Sequence, residues 1–511
     1  MSGLADFVLP PTYWDLLARV AAHDPGRVVL LDDYDRSMTT AELVAAAEGF
    51  AAHLHAVGVR EGSVVSWQLP TTIETMVVML ALSRLGAVQN PVIPLLRERE
   101  LRFITRQIGT ELLIVPEDWR GFPHGALARD IAADARFGVL IADHANVPVP
   151  GSLRLEQGDP ATLPPVPAAS DGARWIYYSS GTTADPKGVR HSDRTLMAGS
   201  TGSVGMLGED SEDVNPIAFP VSHIGGAAML AAALRTRMRM LLFDSFDPAT
   251  TPARMGARGV TLLGSATPFF LAFLAAQRAH GDAPLFPALR GCVGGGAPVA
   301  IELQRQIRAT FGVGGVANAW GLTEFPVVTC ARPVDPPDVL DHTVGRPVEG
   351  VQVRVSDAGE LLLKGPQCFL GYVDAALDAD AFDSGGWFRS GDLGTVDADG
   401  NVRVTGRLKD VIIRNAENIT AQEVEEVLLA HPDVVDVTVI GLPDDRTGER
   451  VCAVLVLAPG VVVTLDALAV HCTAQGLARY KHPEQLEVVA ELPRNPMGKV
   501  LKRDLVARLS A

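Results

Sequence analysis

Cysteine is scarce in this chain and lysine nearly as scarce. The 511 residues hold five cysteines, Cys292, Cys330, Cys368, Cys452 and Cys472, odd in number and scattered, with no Cys-x-x-Cys pair. That pattern excludes a disulfide framework and a thiolate zinc site, and fits reduced thiols in a cytoplasmic protein. No apolar run approaches the ~20 residues a membrane span needs. The longest candidates, residues 76–82 and 227–234, read as buried helices, and no integral membrane contact is expected. The first eleven residues carry Asp6 and no basic cluster, so no secretory leader is expected. A net charge of −16 argues against nucleic acid or an anionic membrane face as the main partner. An anionic ligand would therefore need a local positive site. Of 44 basic residues only six are lysine: Lys187, Lys364, Lys409, Lys481, Lys499 and Lys502. In a chain that writes its positive charge as arginine, Lys187, Lys409 and Lys499 draw attention because each sits in a motif. Lys364, Lys481 and Lys502 are read as accidents of composition.

What is present is ordinary for a globular enzyme, with 47% apolar and 20% charged residues. The length suggests roughly three domain-sized units. From Arg27 the pattern alternates short apolar runs with helical periods. Thr39-Thr-Ala-Glu42 forms a capping box before an Ala-rich helix, and residues 64–68, 74–85 and 92–94 read as strand, helix and extended chain. The alternation resumes after the proline-rich connector at 148–167, with strands at 214–219, 240–243 and 260–263 and helices from Gly225 and over 267–279. This is the pattern of doubly wound sheets covered by helices. After about Val334 short strands and turns take over, including a hairpin signal at Asp399-Gly400, which predicts a small β-barrel or sheet. From Lys409 onward a helix capped by Thr420-Ala-Gln-Glu423, strands at 434–440 and 451–457 and a helix at 465–475 predict a compact α+β unit. The expected domains are thus 1–408 and 409–511.

The chemistry centres on Tyr178-Ser-Ser-Gly-Thr-Thr-Ala-Asp-Pro-Lys187. A buried strand, 175–178, feeds the small and hydroxylated residues Ser179, Ser180, Gly181, Thr182 and Thr183, and then Lys187. Small residues let backbone N–H groups converge on an anion, hydroxyls add donors, and lysine supplies a point charge. The spacing is not that of a Walker loop, because Gly188 and Val189 follow the lysine. Further on, Asn318-Ala-Trp-Gly-Leu-Thr-Glu324 brings together an aromatic face for a flat ring, a hydroxyl for a phosphate and a hard oxygen ligand for Mg²⁺. Gly291-Cys-Val-Gly-Gly-Gly-Ala-Pro298 allows close backbone approach. Asp392 beside Gly391 has the character of a ribose-binding carboxylate. Arg407 and Lys409 mark the change of texture, and Lys499 follows a Pro/Gly loop near the C-terminus.

In this order and at these distances, the motifs from about Arg27 to Arg503 resemble the adenylate-forming superfamily of acyl-CoA synthetases, nonribosomal adenylation domains and luciferases. The resemblance implies the following roles. The loop from Ser179 to Gly188 is the phosphate loop, with Thr182, Thr183 and Lys187 near the β- and γ-phosphates of ATP and Thr182 beside the metal. Glu324 is the Mg²⁺ ligand and Thr323 the hydroxyl at the α-phosphate. Trp320 stands where the family usually has tyrosine on adenine, within Asn318 to Gly321. Gly295, Gly296 and Ala297 line the adenine and acyl site. Asp392 and Arg407 contact ribose, Lys409 is the hinge, and Lys499 bridges the acyl carboxylate and the α-phosphate. After the small domain swings, the loop Ala416, Glu417 and Asn418 meets the incoming thiol. Two positions depart from the pattern: Ala184 replaces a glycine of the phosphate loop, and Asn415-Ala416 replaces a frequent Gly-Gly.

The implied reaction is acyl-CoA synthesis: a carboxylic acid, Mg·ATP and coenzyme A give acyl-CoA, AMP and pyrophosphate through an acyl-adenylate. Substrate class is read from Pro220-Val-Ser-His-Ile-Gly-Gly226. Amino-acid-activating relatives carry an aspartate in this region, whereas here His223, matching the gating position of acyl-CoA synthetases, precedes an almost wholly apolar stretch. An uncharged acyl tail fits, of medium-chain, alicyclic or steroid side-chain type. Two alternatives stand: an acyl-AMP ligase that loads a carrier-protein phosphopantetheine, and a catalytically inactive nucleotide-binding protein, which would be expected to lack Lys499, Glu324 or Asp392. Monomer and homodimer both remain open.

Overall fold

The computed structural model describes residues 9–142, 153–179, 186–264, 266–295, 299–415, 417–444, 446–494 and 499–510, with only the backbone of Ser179. A six-stranded sheet runs in the order Gly138–Ala142, Leu112–Pro116, Val64–Trp67, Val88–Pro91, Trp175–Ser179, Lys187–His191. Every pairing in it is parallel except the last. A four-stranded sheet, Ser37–Thr39, Val28–Asp32, Arg239–Leu242 and Val214–Ile217, lies across a helical layer from it. One core joins side chains of both sheets, such as Leu30 and Met240 with Trp67 and Trp175, to the helices Thr40–Ala56, Ile73–Leu85 and Ile224–Thr236. Residues 76–82 are each 2% exposed or less, so this apolar run is, as expected, a helix buried on every face. Among the described residues no helix is long and apolar enough to cross a membrane.

Helix ends follow local chemistry. Thr39 and Glu42 form the predicted capping box, and Gly86 closes Ile73–Leu85 at φ 66°, a conformation that favours glycine. The expected extended stretch at 92–94 lies just beyond the strand Val88–Pro91, and the strand expected at 260–263 shortens to Leu262–Leu263.

A third sheet pairs Leu262–Leu263, Gly291–Gly295 and Val316–Trp320 in parallel, then Thr329–Cys330 and Arg346–Pro347 antiparallel. The barrel-like region is a four-stranded antiparallel meander, Gln352–Val355, Glu360–Lys364, Phe388–Val396 and Val402–Arg407. The single turn Leu408–Asp410 then leads into a separate sheet, Glu417–Thr420, Val411–Arg414, Gly448–Leu457 and Val434–Asp444, with Gln485–Val488 alongside Gly448–Leu457. Its own core includes Val424, Leu428, Val439, Val451 and Leu468.

One cap differs from expectation. Thr420 precedes the helix Ala421–Leu429 without a side-chain cap hydrogen bond, and a Cβ on Gly406 would lie 2.3 Å from Thr420 Cγ2. Glu423 accepts instead from the Lys481 ammonium at 2.7 and 2.6 Å. A tertiary ion pair stands in place of the local capping hydrogen bond.

Candidate active site

The motif residues gather where parallel strands end. Trp175–Ser179 runs out toward residues 180–185, Gly291–Gly295 toward 296–298, and Val316–Trp320 into Gly321 to Glu324. In open α/β sheets ligands bind at the carboxyl ends of strands, because loops from several strands converge there. Ser180, Gly181, Thr182, Thr183, Gly296, Ala297 and Ala416 lie outside the described residues.

The turn after Val316–Trp320 is tight. A Cβ on Gly321 would sit 2.6 Å from the Val327 amide nitrogen, so only glycine fits without moving backbone. Val327 itself holds φ 53°, a left-handed conformation costly for a β-branched residue. This turn fixes Thr323 and Glu324 side by side. His191, fully buried, grips the first: Nε2 donates to the Thr323 carbonyl at 2.8 Å, and Nδ1 meets the Thr195 hydroxyl at 2.9 Å. Burial pulls the His191 pKa down to about 4, so the ring is neutral and able to accept at Nδ1. The Tyr372 hydroxyl grips the second, donating to Glu324 Oε1 at 2.8 Å.

Asp392, 1% exposed, is held by the meander. It faces Arg407 in the strand register, its Oδ1 lies 2.7 Å from Arg407 Nε, and its Oδ2 accepts from the Trp320 indole N–H at 2.9 Å. The Arg407 contact is an ion pair without hydrogen-bond alignment, so Oδ1 is a buried acceptor with no donor in line among the described residues. Such an atom fits a sugar hydroxyl. Burial raises the Asp392 pKa, and Arg407, Trp320, Lys499 and Lys409 oppose that rise. The Trp320 ring packs mostly into a core with Val189 and Phe325 and keeps 9% of its surface, so its clearest contact is with Asp392. Asn318 turns its amide toward the Leu340 carbonyl, 3.3 Å away, and anchors the strand.

The cations converge. Lys499 arrives from the C-terminal unit and remains solvent-accessible, yet surrounding protein desolvates its ammonium. That desolvation, with Arg407 and Lys409, lowers its pKa to about 8, against the pull of Asp410 and Asp392. The Lys409 pKa is lowered chiefly by burial and by Arg407, with Lys187 contributing. Lys187 places its ammonium 5.4 Å from the centroid of the Tyr372 ring. Lysines 187, 409 and 499, far apart in sequence, thus share one field.

His223 stands elsewhere on the rim. It precedes the helix Ile224–Thr236 and accepts from the Gly225 N–H at 3.2 Å, a capping role. It also lines, with Pro91, Tyr178, Ser222 and Thr323, a small cavity of about 20 Å³. Burial lowers its pKa to about 4, so it is neutral there. Glu417 and Asn418 lie on an exposed hairpin strand, opposite Arg414 and Ile413. Asn415 takes φ 50° at that hairpin, a left-handed conformation that asparagine tolerates better than most side chains. Lone histidines and tyrosines carry little sequence signal, and His191 and Tyr372 emerge only from their contacts.

The residues also fit a nucleotide-bound Mg²⁺. Among the described residues no group of three or more His, Cys, Asp or Glu gathers into a metal cage. Mg²⁺ does not need one, because it binds through one or two carboxylates with substrate phosphates and water completing its shell. Glu324 is a hard oxygen donor of that kind.

Residues 17–373 match the AMP-binding enzyme family and 423–499 the AMP-binding enzyme C-terminal domain. The chain is 30% identical to the medium-chain fatty-acid–CoA ligase of Escherichia coli K12, over 98% of this chain and 90% of that protein. It is 31% identical to the salicyl-AMP ligase / salicyl-S-ArCP synthetase of Mycobacterium tuberculosis, over 97% and 92%. The ATP-bound structure of MatB from Rhodopseudomonas palustris superposes with a TM-score of 0.86 at 27% identity, covering 97% of this chain and 99% of that one.

Proposed function

The chain belongs to the AMP-binding enzyme family and is an AMP-forming acid–thiol ligase, and from that footing we propose that it activates a hydrophobic carboxylic acid and passes the acyl group to coenzyme A. The observation that carries the reading is the shared field of Arg407, Lys409 and Lys499 around Asp392, with Lys187 acting on Lys409. A carboxylate attacking the α-phosphorus of ATP gathers negative charge in the transition state, and preorganised cations stabilise that charge. Lys499 bridges the acid and the α-phosphate, Lys187 meets the outer phosphates, and Thr323 donates at the α-phosphate. Asp392 holds the ribose with Arg407 beside it. Glu324 and Thr182 would hold Mg²⁺, which when bound would supply charge neutralisation for the pyrophosphate leaving group. Residues 179–188 and 295–297 are the remaining nucleotide contacts of this reading.

Residues 1–408 form the nucleotide-binding unit and 409–511 the unit that moves. Lys409 is the hinge, since the single turn Leu408–Asp410 joins the two sheets. Rotation there withdraws Lys499 and brings residues 416–418 to the thiol. Five unpaired cysteines support a cytoplasmic location. The acyl tail is apolar, of medium-chain, alicyclic or steroid side-chain type. The buried helix Ile224–Thr236, with Ala227, Ala231 and Ala233 among its residues, offers no partner for an α-ammonium near His223, and a relative named for medium-chain fatty acids points the same way. A carrier-protein acceptor is the second reading, favoured by the similarity to a ligase named for salicyl-S-ArCP synthesis. Incubation with Mg·ATP and a panel of acids, with and without coenzyme A, tests both. Acyl-CoA supports the first reading, and acyl-AMP that persists in the presence of coenzyme A supports the second.

A further inference from the structure

Tyr372 stands between two groups that the reaction asks to act together. Its hydroxyl donates to Glu324 Oε1 at 2.8 Å, and its ring lies under the Lys187 ammonium, 5.4 Å from centroid to nitrogen. The backbone around it is tied to the strand that follows the phosphate-binding loop. Tyr372 bridges Val189 in antiparallel fashion, the Val373 N–H donates to the Gly188 carbonyl at 2.8 Å, and the Leu370 N–H donates to the Arg190 carbonyl at 2.8 Å. A Cβ on Gly188 would lie 2.7 Å from Val373 Cγ2, so glycine is what lets the two segments close. On its other side the Tyr372 N–H is held by Asp378 Oδ1 at 2.8 Å, and its ring packs edge-on against Phe369 at 4.9 Å. The Phe369 N–H in turn donates to the Glu324 carbonyl at 2.9 Å. Backbone and side chain of Glu324 are therefore both held by residues 369–372, the segment that clamps the exit of the loop.

We infer that Tyr372 is a positioning residue that couples metal binding at Glu324 to phosphate binding at Lys187, an inference resting on the reading of Glu324 as the Mg²⁺ ligand. By occupying Oε1 the hydroxyl fixes the carboxylate plane and leaves the other oxygen as the one that would bind the cation. By facing the ammonium the ring steadies Lys187 without neutralising it, as a carboxylate partner would. The two groups then approach one triphosphate from a common support.

The test uses the full chain, Mn²⁺ as the metal probe and a non-hydrolysable ATP analogue, with Mn²⁺ affinity measured by paramagnetic resonance. Tyr372→Phe keeps the ring and its packing and removes only the hydroxyl. It is expected to weaken Mn²⁺ binding about tenfold, the cost of losing a hydrogen bond to a charged group. It is also expected to raise the Mg²⁺ concentration for half-maximal adenylation while kcat recovers at saturating Mg²⁺, a split that a general loss of structure would not give. Tyr372→Leu removes the ring as well and is expected to weaken binding of the nucleotide itself. Wild-type Mn²⁺ affinity in Tyr372→Phe, alongside weakened binding in Glu324→Gln, would overturn the inference and leave the reading of Glu324 intact. Unchanged affinity in Glu324→Gln would overturn both.

Discussion

Arg407 and Asp392 face each other across an antiparallel strand pair, with Nε 2.7 Å from Oδ1, at a point where the carboxylate is 1% exposed and the side chain of the arginine 34%. The arginine offsets the cost of burying the charge, while its off-axis approach keeps an acceptor for the nucleotide. Asp392→Asn keeps the shape and removes the charge. It is expected to raise the KM for ATP by at least tenfold while changing stability by less than about 1 kcal/mol, because Arg407 only partly offsets the cost of burying the charge and itself reaches solvent. Steady-state kinetics and denaturant unfolding check the two effects.

In the proposed adenylation step Lys499 acts as its protonated ammonium, and its pKa of about 8 sets where that role would fail. The kcat/KM for adenylation, which reports the free enzyme, is expected to fall as pH rises through about 8. Bound triphosphate adds negative charge, so the limb in kcat moves higher. Lys499→Arg shifts the kcat/KM limb beyond the accessible range, and Lys499→Ala lowers adenylation by about 10²–10³ while sparing thioester formation from supplied acyl-adenylate.

Gly321→Ala places a methyl group 2.6 Å from the Val327 nitrogen and 3.2 Å from the Phe325 carbonyl oxygen. Backbone must shift, at a cost of about 1–3 kcal/mol. Thr323 and Glu324 move with it, and pyrophosphate exchange is expected to drop more than tenfold in a protein that still melts cooperatively.

The His191 pKa of about 4 lies below its unfolded value of about 6.5, so the unfolded state binds the extra proton between these limits. Its contribution to stability is complete above pH 6.5 and is lost as pH falls toward 4, by about 3 kcal/mol in all. Buried Asp193 and Glu209, with pKa values raised to about 6 and about 7, act in the opposite sense, so the wild-type profile alone does not isolate the histidine. His191→Gln keeps an N–H donor for the Thr323 carbonyl and cannot titrate. Its unfolding free energy is expected to fall less steeply than that of the wild type between pH 6.5 and 4.

Much of this was legible in the sequence because the informative signals are local. The capping box at Thr39 and Glu42 formed as read, and the apolar runs became buried helices. The spacing of small residues before Lys187 marked the end of a strand, as found. What stayed hidden depends on partners distant in the chain. Glu423 reads as half of a capping box, but Lys481, 58 residues away, takes it. Lys502, set aside as incidental, pairs with Glu425 at 2.7 Å. His191 reaches Thr323 across 132 positions and Tyr372 reaches Glu324 across 48, so neither had a motif to announce it. The sequence offers Trp320 as a ring for adenine, whereas its tie to Asp392 through the indole N–H depends on strand packing that no local pattern encodes.

The most direct measurement is mass-spectrometric detection of products after mixing the protein with ATP, Mg²⁺ and aliphatic, alicyclic, aromatic and steroid carboxylates, with and without coenzyme A. The account predicts acyl-AMP from a hydrophobic acid without coenzyme A and its conversion to acyl-CoA when coenzyme A is added. Failure of every acid to give an adenylate, in protein that still binds ATP, would contradict it.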